Sequence, residues 1–302
     1  MGWLARLLSP ARRPEASASP ASKSSPAVAA PAAAAVPPPA VPLLLPRLLG
    51  KSEATGAELS TAERRAIDAI DGALAQPALP PDLLPRAASV IPQLLALMRQ
   101  SDLPVPALVQ RIAKDVLLSA EVLRLASSPY YRSQGAVGDL GQAIVLIGES
   151  GLQSVIAKVV LKPIYEASAG GLSARAAQPL WEFSEATADS ASHEAQAAGL
   201  AAFDGYLAGL LHGAGWTATL RLIDRAGAEL PGPLSSAFAA ACEERAHRLF
   251  GRTAERWNIT PAFRAFAADA CLHRLANSRD PLAAVLRRAL EAGPAETADP
   301  VQ

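Results

Sequence analysis

Apolar residues recur along most of this chain at spacings of three and four, the period of a helix with one buried face. The clearest set begins at Ser60, where Ser60 and Glu63 form an S-x-x-E capping box and Ile67, Ile70 and Leu74 follow on one face. The spacing predicts a helix of about 15 residues that ends before Pro77. Leu94, Leu95, Leu97 and Met98 form a second set, Leu108, Val109 and Ile112 a third, and Leu118, Val122 and Leu125 a fourth. Pro92, Pro104 and Pro106 suit the first turns of these helices, because an interior proline removes a backbone donor. Residues 139–160 predict two short helices about Gly148. The first opens on Asp139 and Gln142 and buries Ile144 and Ile147, and the second carries Leu152, Val155, Ile156, Val159 and Val160. That second run is β-branched enough for a strand, but its spacing favours a helix. After the glycine-rich break SAGGLS at 168–173, helices are predicted near 174–199, 205–226, 234–252, 261–277 and 281–292. No alternating strand pattern of useful length and no internal repeat occurs, so the predicted fold is all-α.

The first fifty residues break the pattern. Ten of the 26 prolines fall there, interleaved with alanine and serine, and such a stretch holds no periodic apolar face. The expected organisation is a disordered Pro/Ala/Ser-rich tether at 1–58, an accessory helix at 59–78, a helical domain at 79–280, and a C-terminal helix with a frayed tail at 281–302. The tip MGWLARLLSPARR offers Trp3, Leu4, Leu7 and Leu8 beside Arg12 and Arg13, a candidate contact with a partner helix or, weakly, with a membrane surface through residues 1–13. No A-x-A-like cleavage site follows, and Arg6 breaks the myristoylation pattern. The longest apolar stretch, near 41–49, is interrupted by Pro42, Pro46 and Arg47, so no membrane span is expected.

Charge narrows the partners. The 28 basic and 28 acidic residues balance, which leaves no global field to hold a polyanion, and nucleic acid is not an expected partner. Residues 139–160 have the outline of a helix-turn-helix reader, but the second helix offers only Gln153, Ser154 and Lys158 among aliphatics, with Lys162 just beyond. Cys242 and Cys271 fit neither a disulfide framework nor a zinc site, in keeping with a cytoplasmic protein. The common phosphate-binding and nucleophile motifs are absent, and no cofactor is expected. The remaining candidates for chemistry are His193, His212, His247 and His273, none of which makes an H-x-x-x-H pair.

Four stretches in fixed order, LVQRIAKDVLLSAEVLRLASSPYY (108–131), VGDLGQAIVLIGESGLQSVI (137–156), PLWEF (179–183) and YLAGLLHGAGWTATL (206–220), resemble the HDOD domain. Asp115 closes its I-x-x-D element, residues 123–128 stand at its L-x-x-A-N-S element, and residues 143–148, ending at Gly148, fit A-I-x-x-L-G. Val116 stands where proline is usual and Ser127 where asparagine is usual. The resemblance covers about residues 79–280 and implies an HD-like helical bundle of two packed sub-bundles, a bacterial signalling module related to the HD metal-dependent phosphohydrolases. In catalytic HD relatives an early histidine, an adjacent His-Asp pair and a later aspartate hold the metals. Here the early position falls at or next to Phe183, and His212, which matches the pair's histidine, is followed by Gly213. One imidazole supplies neither the oxygen donors nor the open position that metal hydrolysis requires. A substitute would need acidic groups near His212, such as Asp224, Glu194 with His193, or Glu243 with His247. The stretch HRLFGRTAERWNITP (247–261) is similar to the family's H-x-x-x-G followed by tryptophan and proline, but the gap to Trp257 is one residue short and His247 is assigned no role.

The resemblance therefore implies a regulatory module acting through contacts with other signalling proteins, with His212 as a remnant and no metal held. Tyr130 and Tyr131, beside Pro129 at a helix end, are candidate partner contacts together with Trp3, Leu4 and Leu7. Trp181, Asp115, Gly148 and Trp257 are expected to be structural, Trp181 packing between the sub-bundles with its indole N–H on an acceptor. Two rival readings are a residual phosphohydrolase acting on nucleotides or cyclic dinucleotides and nucleic-acid binding through 139–160.

Overall fold

The computed structural model describes residues 44–54, 58–84, 86–98, 104–132, 137–166 and 170–292. The helices, in chain order, are α1 (Leu44–Leu48), α2 (Thr61–Ala75), α3 (Ala87–Met98), α4 (Val105–Ile112), α5 (Val116–Ala126), α6 (Pro129–Arg132), α7 (Leu140–Leu161), α8 (Leu172–Ala197), α9 (Ala202–Arg225), α10 (Ser236–Ala254), α11 (Pro261–Leu272) and α12 (Pro281–Ala292). Two two-residue strands, β1 (Glu53–Ala54) and β2 (Leu234–Ser235), pair in parallel, Glu53 opposite Leu234. The fold is all-α, as the periodicity predicts.

Caps set the helix starts as the sequence reads. Ser60 Oγ accepts from the Glu63 amide while the Glu63 carboxylate accepts from the Ser60 amide, which closes the capping box. The other Glu63 oxygen accepts from the buried Ser235 amide at 2.8 Å and ties α2 to the start of α10. Asp115 caps α5 by accepting from the amides of Leu117 and Leu118. Within α7, Gly148 at φ 65° and ψ −171° breaks the helix into the two halves expected on either side of it.

Helices α3, α4 and α5 pack on α7, while α8 to α12 pack with α2 around α9, and α7 meets α9 between the two groups. Helix α9 is buried without interruption from Gly205 to Leu220, the mark of a central helix with no solvent face. Its glycines let neighbours come close. A Cβ at Gly205 would lie 2.3 Å from the Ala191 carbonyl oxygen and one at Gly209 2.6 Å from the Ala188 Cα, both on α8. On another side, a Cβ at Gly215 would meet the Ala246 carbonyl of α10 at 2.0 Å.

Three expectations need correction. The tether read at 1–58 extends too far: residues 1–43 lie outside the described residues, but α1 and β1 are built from its end. Leu44, Leu45 and Leu48 of the LLPRL turn are buried, and Lys51 bonds the carbonyls of Leu230 and Gly232, which anchors the segment beside β2. Pro92 sits inside α3 rather than in its first turn. It costs the Ala88 carbonyl its helical partner, a loss that solvent makes good because both residues are exposed. Residues 140–164 form a stretch long and apolar enough to cross a membrane, although the sequence reading found none. Half of it is buried, as suits a core helix kinked at Gly148. The frayed tail placed at the C-terminus, residues 293–302, lies outside the described residues.

Candidate functional site

Helices α8, α9 and α10 bring Phe183, His212 and His247 to one cavity of about 720 Å³, whose wall includes Trp216, Glu243 and Leu290. His212 reaches it from the middle of α9 and His247 from the facing side of α10. The two buried rings meet edge to edge, with His247 Nδ1 3.2 Å from His212 Nε2. Burial pushes the His212 pKa down to about 3, helped by the neighbouring His247, and burial pushes His247 down to about 4, against the pull of Asp269. Both imidazoles are therefore neutral near pH 7, one donating and the other accepting. His247 Nε2 is buried and has no partner among the described residues. A bare lone pair there costs less than an orphaned N–H, so the favoured tautomer has His247 donating through Nδ1 to His212. Phe250 stands 5.7 Å from the His212 ring and Phe266 6.2 Å from the His247 ring, an apolar setting that accounts for both depressed values.

The position after His212 has no space for a side chain. A Cβ on Gly213 would come within 2.1 Å of Ser184 Oγ and 2.9 Å of the Tyr165 hydroxyl, which itself donates to the Leu210 carbonyl. An aspartate there would have to displace both. At the early position, Phe183 lines the cavity and Ser184 faces Gly213.

Of the acidic residues considered as substitutes, Asp224 accepts from the Leu172 and Ser173 amides and from the Ser173 hydroxyl at the start of α8. That places it about 18 Å along α9 from His212, at the helical rise per residue. Glu194 pairs with Arg288 at 2.5 Å, and His193 is exposed. Only Glu243 shares the cavity with His212 and His247, and burial lifts its carboxyl to about 7. Among the described residues no three His, Cys, Asp or Glu side chains stand together as a metal would need. With Gly213 blocked, the residues present do not fit an HD-type metal pair.

The sequence reading missed the approach of His247 to His212 and the cavity itself. Trp181 is buried, edge-on to Tyr165 with 5.3 Å between centroids, and Lys162 Nζ lies 5.8 Å from the centre of its ring. The expected acceptor for its indole N–H is not found among the described residues. Trp257 packs half-buried on the core. Tyr131 is also half-buried, with its hydroxyl beside Gly151, while Trp3, Leu4 and Leu7 and the Tyr130 side chain lie outside the described residues. Lys158 is engaged by Glu121 at 2.9 Å and by Glu185. The second half of α7 buries Leu152, Val155, Ile156 and Val160, so its apolar face packs inward.

Comparison with known proteins identifies the family. The HDOD domain family model matches residues 84–270. Two solved structures are similar over 77% of this chain. One is an HDOD domain protein with unknown function from Geobacter sulfurreducens, at 19% identity, TM-score 0.42 and 90% coverage of that chain. The other, from Shewanella amazonensis SB2B, is named "Putative phosphohydrolase" and matches at 19% identity, TM-score 0.45 and 80% coverage of that chain. A search of the curated proteins finds no match. With the family model spanning more than half of its length, the chain belongs to the HDOD domain family.

Proposed function

We propose that this chain is a non-catalytic regulatory module of bacterial signal transduction that works in the cytoplasm through contacts with other proteins. The observation that carries the reading is Gly213: the place of an essential carboxylate is occupied by Ser184 and Tyr165, and the histidine beside it is bonded to His247 instead. Exposed apolar side chains support the contact role. Val116 and Leu117 at the start of α5 are 80% and 68% exposed, and Val145 on the facing helix α7 is 65% exposed. Val116 and Leu117 are adjacent in the chain, and contiguous exposed apolar surface is what marks an interaction site.

Two measurements test the reading. Protein purified without chelators should carry no stoichiometric metal; Mn or Fe at one equivalent or more, lost in His212→Ala, would restore the phosphohydrolase alternative. A native-extract pull-down should recover a defined partner set that Val116→Glu with Leu117→Glu abolishes. An unchanged set would refute this face as the contact.

A further inference from the structure

Every strong cation in the wall of the His212–His247 cavity except one is already committed. Arg245 makes a two-pronged pair with Asp71 at 2.8 and 2.6 Å, Arg274 holds Glu244 at 2.9 Å, and Arg287 donates to the carbonyls of Leu275 and Ser278 at 2.7 and 3.1 Å. Arg47 on α1 is the exception, and it is exposed, where water screens its charge. Leu44, Phe183, Trp216 and Leu290 give the wall its apolar and aromatic part. Besides the exposed Arg47 and Glu291, the polar side chains left without an ionic partner are the neutral imidazole pair and the Glu243 carboxyl, which has no partner among the described residues. A phosphate or carboxylate entering this space would find only the exposed, water-screened Arg47 guanidinium unpaired and would face Glu243 and Glu291. A planar uncharged ring would stack on Phe183 and Trp216 and exchange hydrogen bonds with Glu243 and the imidazole edge.

We propose that the cavity binds an uncharged, largely apolar heteroaromatic molecule with a hydrogen-bonding edge, of the lactam or nucleobase type, in the space where a relative would hold its metals. The volume falls in the range of small-molecule sites, and the walls come from α1, α8, α9, α10 and α12, so an occupant would bridge helices that are distant in sequence. That occupant would clamp α1 and α12 onto the α8–α10 core. Ligand binding would stand whether or not the α5 face recruits a protein.

The test is calorimetric titration of the full chain with 2-quinolone, benzimidazole and adenine, set beside quinoline-2-carboxylate and inorganic phosphate. At least one of the three uncharged rings should saturate one site at sub-millimolar concentration, at least tenfold tighter than either anion. Ala240→Trp, at an exposed position of the wall, should weaken that binding at least tenfold while the thermal melt stays in place. Should that variant melt early, Glu243→Leu serves instead with the same expected loss, and Glu243→Gln should stay within threefold of the unaltered protein. Preference for phosphate or the acid, absence of saturable binding by all three rings, or binding unmoved by the wall variants would each overturn the proposal.

Discussion

Acidification from pH 7 to pH 5 should separate the roles of the three titratable groups in the cavity. His212 and His247 have folded values of about 3 and 4 against an ordinary 6.5, so over this interval the unfolded chain takes up protons that the folded chain refuses. Stability contributed by such groups is present above pH 6.5 and is lost as pH falls toward the folded values. Each histidine should cost about 2 kcal/mol between pH 7 and 5. Glu243 runs the other way. Its folded value of about 7 against an ordinary 4.5 means that the folded chain takes up the proton first, so acidification returns about 2 kcal/mol, an upper figure because the side chain is only partly buried. The unaltered protein should therefore lose about 2 kcal/mol from these groups, Glu243→Gln about 4, and His247→Phe close to none. Arg245, Arg274 and Arg287 line the cavity in all three proteins and cancel in the comparison. Urea unfolding followed by far-UV circular dichroism at pH 7, 6 and 5 gives the three slopes. A Glu243→Gln slope no steeper than that of the unaltered protein, or a His247→Phe slope no flatter, would refute the assignment of these burial effects.

Gly213→Asp should lower stability by more than the 1–3 kcal/mol usual for overpacking, because Ser184 and Tyr165 cannot both withdraw, and should not confer metal; thermal melts and metal analysis read the two results. Lys158→Met leaves Glu121 and Glu185 with Arg124 as their one shared cation and should cost about 1 kcal/mol in urea unfolding, with Glu185→Gln in the same chain recovering part of it. Burial alone would raise the Glu63 carboxyl, but the backbone amides of Ser235 and Ser60 outweigh it and hold it below its ordinary value. Its contribution is thus present above pH 4.5 and fades as pH falls below that, and Glu63→Gln should flatten the acid limb of the stability curve. Leu45→Ala should cost about 2–5 kcal/mol, since α1 is seated on α10, whereas a tether residue would cost nothing measurable.

What the sequence showed was whatever local chemistry decides. A capping box at Ser60 and Glu63, Asp139 before an apolar run, and Gly148 between two such runs each act within a few residues, so element type and most boundaries could be read directly. Helix α1 escaped because five residues cannot hold a helix alone. Its three buried leucines depend on α8 and α10, whose placement no local pattern reveals. Pro92 escaped for a similar reason: its cost depends on whether the Ala88 carbonyl faces water. The meeting of His212 and His247 joins side chains 35 residues apart on different helices, and only the crossing of α9 and α10 determines it.

The packing of α8 on α9 explains why one glycine has two consequences. Gly205, Gly209 and Gly213 recur every four residues and form a single face of α9, on which α8 and Tyr165 close to distances that no side chain would permit. As a missing ligand, Gly213 says only that a carboxylate is lacking. As the third member of that face it says why one could not be added: the space belongs to the packing of α8. A charged His212 would be costly in this apolar interior, and the arrangement that removes the cost is the one present, a neutral ring bonded to a second neutral ring beside Phe250 and Phe266. The close helix contact and the uncharged cavity floor thus follow from the same small residue. The polar capacity left over at Glu243 and the imidazole edge then suits a neutral guest better than the anion a metal site would draw.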